Sequence, residues 1–450
     1  MALSQPPQEL LDRLSRAAES VKGFPEVRIV SHYDADGIAS AGVLCNALLR
    51  ENIQFQVSLS KALDEESISQ IADNGYECIV FSDMGSGHLE RLEELGSEVV
   101  VLDHHRPPRD SQELHHLNPH LHQVDGMTGC SASSMCMLFA LTMDEGNWPL
   151  LPIALAGVSG DRQDIKGLSG FNQYLFQEGE SRGLVERRSG SLVPDGPVEE
   201  GLLHSFDPYI VGITGNKRGI RELLERAGVD PGESIDEVDQ GRKRKLHSLL
   251  SLRLLDQGVE ASTLIQATRE RLYLPSWEMD SGRLSSLLNA CGRMGKEGLG
   301  VALTLGDGTA LEEATVSQTS YCQEVISALE QVRKEGISQR EHIQYLYSPH
   351  PSLSGVVCGI TMEYLAPGRK PTMAFSRREG KVKVSGRANF PILEMGVDLS
   401  EALSAAAGAV GGSGGGHSIA SGASVPQERE AEFLEELDRI VGEQKASPSR

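Results

Sequence analysis

The apolar positions divide the chain into elements of two periods. An amphipathic stretch near the start gives way to short runs rich in β-branched residues, VRIVS (27–31), IQFQVSL (53–59), ECIVFS (77–82) and EVVVLD (98–103), separated by segments of helical length. Strand patterns alternating with helix patterns predict an α/β fold whose mainly parallel sheet is covered on both faces, with ligands at the carboxyl ends of the strands. Polar motifs stand at those ends: SHYDADG after the first run, SDMGSG after the third and DHHRPP after the fourth. GVSGDRQD follows a later apolar segment, Leu151 to Val158, which reads as one more strand-like or core segment.

From about 179 to 215 the sequence turns rich in Gly, Pro, Ser and charge, which marks the exit from the first domain. The expected organisation is a sheet domain over 1–205, a helical middle region over 206–280, a helical connector over 281–344 and a smaller α/β domain over 345–450. The middle region holds RGIRELLERAG and the basic run Arg242 to Lys245, read as a solvated helix face or, failing that, a partner patch. The connector holds LSSLLNACGRM and EVISALEQVRKEG. In the last part SGVVCGITM (354–362), PTMAFSRR and KVKVSGR read as strands, GGSGGGHSIASGASVP (411–426) as a glycine-dense loop, and residues 443–450 as a frayed end.

Charge narrows the function. With 42 Lys+Arg against 64 Asp+Glu, a net charge of −22, the chain has no general basic surface for nucleic acid, so a phosphate ligand must be met locally, by metal ions or a few basic groups. The seven cysteines are scattered and without a CxxC pair, which suggests neither a disulfide framework nor a structural zinc site. No segment has the length of a signal-peptide core or a membrane span, so a soluble cytoplasmic protein without membrane association is expected. Stacking platforms of the usual single-strand type are not apparent among 9 Tyr, 10 Phe and 2 Trp.

The strand ends supply His32, Asp34 and Asp36, then Asp83, then Asp103, His104 and His105, then Asp161. Taken singly, such residues usually cap helices or close turns. Four such motifs in this order exceed what capping requires. If the strands are neighbours the carboxylates converge and repel, which divalent cations relieve, and mixed imidazole and carboxylate donors suit Mn²⁺, Fe or Zn²⁺ better than Ca²⁺. Two such ions can clamp a phosphoryl group and turn a bound water into a nucleophile. Gly414, Gly415 and Gly416 let backbone N–H groups approach an anion, with His417 as an added donor; the competing reading is a flexible linker. Arg387, at a strand end, can grip phosphate or stand solvated. Asn289 and Arg293, four apart, share a helical face that meets a nucleic-acid backbone or merely ends a helix.

SHYDADG, SDMGSG, DHH and GDRQD resemble the four motifs of the DHH phosphoesterase superfamily. LNACGRM is similar to a segment of RecJ-type exonucleases, and GGSGGGHSIASG resembles the glycine-rich signature of the DHH-associated C-terminal domain. Over most of the chain the layout resembles archaeal RecJ-like nucleases, including those associated with GINS. The resemblance implies that His32, Asp34 and Asp83 hold one metal ion and Asp36, Asp83, His104 and Asp161 a second, with Asp83 bridging. It also implies that His105 faces the phosphate as donor or general acid and that Asp103 orients its neighbours. One departure is that His32 stands two residues before the first aspartate, where many members place the histidine four before it.

The expected activity is a metal-dependent exonuclease, with two Mn²⁺ or alternatively Mg²⁺ ions, hydrolysing single-stranded DNA or RNA to mononucleotides in replication, repair or RNA processing. GINS or other replisome proteins are expected partners through the middle region. The alternatives are a phosphodiesterase for very short RNAs, 3′-phosphoadenosine 5′-phosphate or cyclic dinucleotides, and a replisome scaffold that keeps the fold without catalysis.

Overall fold

A computed structural model describes residues 5–446 apart from 367 and 369. The chain forms two compact units, one of residues 1–190 with 269–321, the other of residues 191–268 with 322–450. This division differs from the expected segments. The helix Ser281–Arg293, expected in a connector, is a buried member of the first unit, packed on the helices Ala35–Arg50 and Leu151–Gly160.

In the first unit five strands, β1 (Glu26–His32), β2 (Gln54–Ser60), β3 (Cys78–Ser82), β4 (Glu98–Leu102) and β5 (His115–Leu117), form a parallel sheet in the order β2-β1-β3-β4-β5. Successive residues point to opposite faces, so β1, β3 and β4 each feed two cores. Val27, Ile29, Val80 and Val100 join helices including Gln8–Lys22, Ala35–Arg50 and Ala132–Met143 on one side. Val30, Ile79, Phe81, Val99 and Val101 join the helices Glu65–Asp73 and Leu89–Glu93 on the other. The order reverses between β1 and β3, which is where an open parallel sheet leaves a crevice at its carboxyl edge. A small antiparallel sheet of β6 (Glu186–Arg188), β7 (Arg271–Leu274) and β8 (Met279–Asp280) completes the unit.

The second unit contains the helices Lys217–Ala227 and Gln240–Asp256 and a six-stranded sheet in the order β13-β14-β12-β11-β10-β9. Its strands are β9 (Ser338–Gln339), β10 (Gln344–Tyr347), β11 (Thr372–Arg378), β12 (Lys381–Arg387), β13 (Ser413–Gly416) and β14 (Ala420–Pro426). In the basic run, Arg242 is tied to Glu233 and Asp239, and Arg244 and Lys245 are exposed.

Three expectations of local structure are corrected. Residues 354–360 are a helix, Ser354–Ile360, continued by a π-turn to Leu365, and not a strand. Its buried positions are Ser354, Val357, Cys358 and Ile360; the first three, with Thr361 in the following turn, fall at helical spacing, a pattern that β-branched composition obscures in so short a run. Residues 411–426 are not a loop but a hairpin of β13 and β14, closed where His417 N–H donates to Ala420 O (2.9 Å) and Ala420 N–H to His417 O (3.2 Å). Gly414 serves packing there, because a Cβ would stand 2.6 Å from Leu403 O in the helix Leu399–Ala409. Leu151–Gly160 is a helix, so Asp161 is presented by a helix end. Residues 443–446 close the last helix, Glu430–Ala446; the remainder of the expected frayed end lies outside the described residues. Among the described residues no helix is long and apolar enough to cross a membrane, and all seven cysteines are buried and free.

Candidate metal centre

The site lies at the carboxyl edge of β1, β3 and β4. His32 ends β1, and Asp34 follows as the N-cap of Ala35–Arg50, its Oδ1 accepting from Gly37 N–H at 3.2 Å. That bond leaves Oδ2 3.0 Å from His32 Nδ1. In the first turn of the helix, Asp36 is fully buried and accepts from Ala132 N–H (2.8 Å) and Ser133 N–H (3.1 Å), the N-terminus of Ala132–Met143. A helix N-terminus suits a carboxylate, so the aspartate is fixed by the fold itself.

Asp83 follows β3 with φ at +56°, a left-handed conformation uncommon for a non-glycine residue and frequent at functional sites. Its two oxygens face different partners: Oδ2 lies 3.4 Å from His32 Nδ1, and Oδ1 lies 3.2 Å from His104 Nε2. His104 Nε2 is also 3.4 Å from Asp161 Oδ2. The other ring nitrogen of His104 donates to Gly126 O at 2.7 Å, which fixes a proton on Nδ1 and turns Nε2 into the cluster, where a metal ion would have to displace its proton. Gln163 also donates to Gly126 O, and Asn172 donates to Gln163, so the carbonyl is held in turn.

Asp103 accepts from the backbone N–H of His104 (2.8 Å) and His105 (3.2 Å), from Nδ1 of His105 (2.8 Å) and, at its other oxygen, from Ser86 N–H (2.9 Å). It is nearly inaccessible and orients the two histidines, while the His105 side chain remains 40 % exposed.

Electrostatics mark the cluster as one that wants cations. Burial pushes Asp36 up to about 6, with Asp83 adding to the shift. Burial and then Asp36 drive Asp161 well above the carboxylate range. Burial alone would depress His32, but Asp34 and Asp83 carry it up to about 11; His104 is likewise raised, against burial, by Asp161 and Asp83. Burial would raise Asp83, but His104 and His32 hold it far below its ordinary value. Asp161 Oδ2 is buried and makes no hydrogen bond, a donor atom left over by the protein's own bonding. Three groups bring ligand atoms within 4.8 Å of one another: His32, Asp34 and Asp83; Asp36, His104 and Asp161; and Asp83, His104 and His105. These donors fit divalent cations of the Mn²⁺ type, and Asp83 belongs to two of the groups.

Asn289 and Arg293 lie beside this edge. Arg293 donates to Tyr33 Oη, stacks its guanidinium 4.8 Å from that ring, and donates to Asn289 Oδ1 at 3.4 Å. Gly292 permits the approach, since a Cβ there would stand 1.8 Å from Tyr33 O. Arg387, Gly414, Gly415, Gly416 and His417 belong to the second unit. Arg387 ends β12 half-buried, with Nη1 donating to Gly386 O at 2.9 Å, and the three glycines form the edge strand β13. Tyr33, Lys61 (its Nζ 5.6 Å from the Tyr33 ring), Ser86 and Asn118 were given no role from the sequence, although Tyr33 and Ser86 stand inside the SHYDADG and SDMGSG motifs.

Residues 26–158 match the DHH family, N-terminal domain, and residues 342–443 match the DHHA1 domain. The chain belongs to the DHH superfamily and has a RecJ-like fold. An uncharacterized protein of Methanocaldococcus jannaschii is 28 % identical over 450 residues, 97 % of this chain and 99 % of the relative. The single-stranded-DNA-specific exonuclease RecJ of Thermus thermophilus is 28 % identical over 177 residues, 36 % of this chain and 26 % of that protein. The structure of that RecJ with Mn²⁺ superposes with a TM-score of 0.61 at 18 % identity, over 98 % of this chain, which spans 56 % of the other. Cdc45 from Entamoeba histolytica superposes with a TM-score of 0.63 at 11 % identity, covering 97 % of this chain and 98 % of its own.

Proposed function

We propose that the protein is a divalent-metal-dependent exonuclease that hydrolyses single-stranded DNA or RNA to mononucleotides. The observation that carries this reading is the convergence of His32, Asp34, Asp36, Asp83, His104 and Asp161 at one sheet edge, with Asp83 presenting one oxygen to each side. In the proposed assignment His32, Asp34 and Asp83 hold one ion, and Asp36, Asp83, His104 and Asp161 the other. Bound ions of this kind lower the pKa of water and neutralise phosphoryl oxygens. The chain's own residues do the rest. Asp103 fixes the His105 ring, whose exposed side is available to a phosphate oxygen or to the leaving group. Arg293 and Asn289, beside Tyr33, are proposed to meet the neighbouring backbone phosphate. Arg387, with Gly414 to His417, is proposed to bind the strand end within its own domain. The existence of a RecJ single-strand exonuclease among the relatives supports the substrate class.

The complete donor set speaks against a scaffold without catalysis, although the Cdc45 fold leaves room for replisome contacts through residues 206–280. The test is a time course with Mn²⁺ on single-stranded DNA and RNA labelled at either end. Immediate release of labelled mononucleotide from one end only is expected. No cleavage of any oligonucleotide by the metal-loaded protein would contradict the reading.

A further inference from the structure

Behind the DHH motif lies a chain of hydrogen bonds that the proposed chemistry does not itself use. Ser86, His116 and Asn118 are each fully buried. Asn118 Nδ2 donates to the backbone oxygen of His105 (2.8 Å) and to Ser86 Oγ (3.0 Å), while its Oδ1 accepts from His120 N–H (3.0 Å). Ser86 N–H donates to Asp103 Oδ2 (2.9 Å), and Ser86 Oγ is 3.1 Å from His116 Nε2. At the far end His116 Nδ1 is 3.0 Å from Asp110 Oδ1, and Arg13 donates to Asp110 Oδ2 at 2.8 Å.

The donors and acceptors admit one consistent direction. A carboxylate at Asp110 requires the His116 proton on Nδ1, so His116 Nε2 accepts from the Ser86 hydroxyl. The oxygen of Ser86 is then free to accept from Asn118, whose amide donates both to it and to His105 O. Burial depresses His116, in keeping with a neutral ring. The side-chain polar atoms of Ser86 and Asn118 are thus all satisfied, the condition under which a buried network rigidifies its surroundings.

We infer that Asn118, together with Ser86, is a positioning residue for His105: Asn118 holds its backbone carbonyl, the Ser86 hydroxyl holds Asn118 in place, and the Ser86 backbone N–H holds the Asp103 carboxylate that orients its ring. This inference rests on the role proposed for His105 above. Asn118 touches neither the metal-ligand atoms nor the imidazole. Its loss should therefore slow the step that uses His105 and spare both ion binding and substrate binding.

The test uses the full chain with histidine ring ¹³C and ¹⁵N labels, loaded with Mg²⁺, in the variants Asn118→Leu and Ser86→Ala. The His105 cross-peak is assigned by its disappearance in His105→Gln. The expected result is a displaced His105 cross-peak in both variants and turnover reduced by about tenfold or more, with KM and Mn²⁺ affinity changed by less than about threefold. Ser86→Ala removes only the hydroxyl that joins Asn118 to His116, leaves the Ser86 N–H on Asp103, and keeps the test open if Asn118→Leu folds poorly. An unmoved cross-peak, or turnover lost in step with Mn²⁺ affinity, overturns the inference. A displaced cross-peak in a protein whose wild type cleaves no phosphodiester leaves the positioning intact and removes only the proposed chemistry.

Discussion

Asp83 and His104 meet with Oδ1 of the carboxylate 3.2 Å from Nε2 of the imidazole, while the second oxygen of Asp83 turns to His32 at 3.4 Å. One carboxylate is thus shared between the end of β1 and the end of β4. The left-handed backbone at Asp83 sets that aim, and β3, between its neighbours, supplies the position.

Substituting Asp83→Asn keeps the shape and removes the shared charge. Both proposed ion sites lose a ligand, so hydrolysis should fall by about a thousandfold or more, and the rise in melting temperature that Mn²⁺ gives the wild type should disappear. Activity assays and thermal melts with and without Mn²⁺ check this. An active, Mn²⁺-stabilised Asp83→Asn protein would contradict it.

Asp161→Asn separates the two faces of the cluster. In metal-free protein it relieves a buried carboxylate raised by burial and by Asp36, so the melting temperature should rise by roughly 2–4 °C, the size of about 1 kcal/mol in a unit this large. In the presence of Mn²⁺ the same variant should be the less stable of the two. Paired melts at constant pH read both signs.

Ion binding should release protons. His32, raised to about 11, and His104, raised by Asp161 and Asp83, hold protons at neutral pH that a metal ion must displace. Affinity for Mn²⁺ therefore increases as pH rises from 6 to 8 (roughly the range in which Asp36, at about 6, also sheds its proton). Titration calorimetry in two buffers of different ionisation enthalpy counts the protons. About one to two released per protein are expected at pH 7, and none would contradict the assignment of the histidines as ligands.

Arg293→Ala should raise KM for a single-stranded oligonucleotide by about tenfold while leaving Mn²⁺ affinity alone, since it removes the proposed phosphate contact and none of the proposed ion ligands. Gly292→Ala acts differently. A Cβ placed 1.8 Å from Tyr33 O must push the helix Ser281–Arg293 away, costing about 1–3 kcal/mol of stability, visible as a lower denaturant midpoint.

The parallel sheet and the three motifs at its strand ends were legible because SHYDADG, SDMGSG and DHH each follow or close on a run rich in β-branched residues, and the β1 to β4 runs lie within a residue of their observed ends; GDRQD instead follows the helix Leu151–Gly160. The helix at Ser354–Ile360 was misread because seven residues are too few to separate a buried helix from a buried strand, and Val356, Val357 and Ile360 favour the strand. The glycines of 411–416 were misread because glycine spacing carries no trace of partner strands. At Gly414 a Cβ would stand 2.6 Å from Leu403 O, a contact with no trace in the local sequence. The parts played by Asn118 and by Ser86 of SDMGSG were not legible for a related reason: they lie in bonds to His105 and Asp103 across 13 and 17 positions of chain.

The central claim is that two ions flank Asp83. Crystals grown with Mn²⁺ and measured on both sides of the manganese absorption edge test it directly. The account predicts two anomalous peaks about 3.5–4 Å apart, one beside His32 and Asp34, the other beside Asp36, His104 and Asp161, with Asp83 between them. A single peak away from Asp83, or none at saturating Mn²⁺, would contradict it.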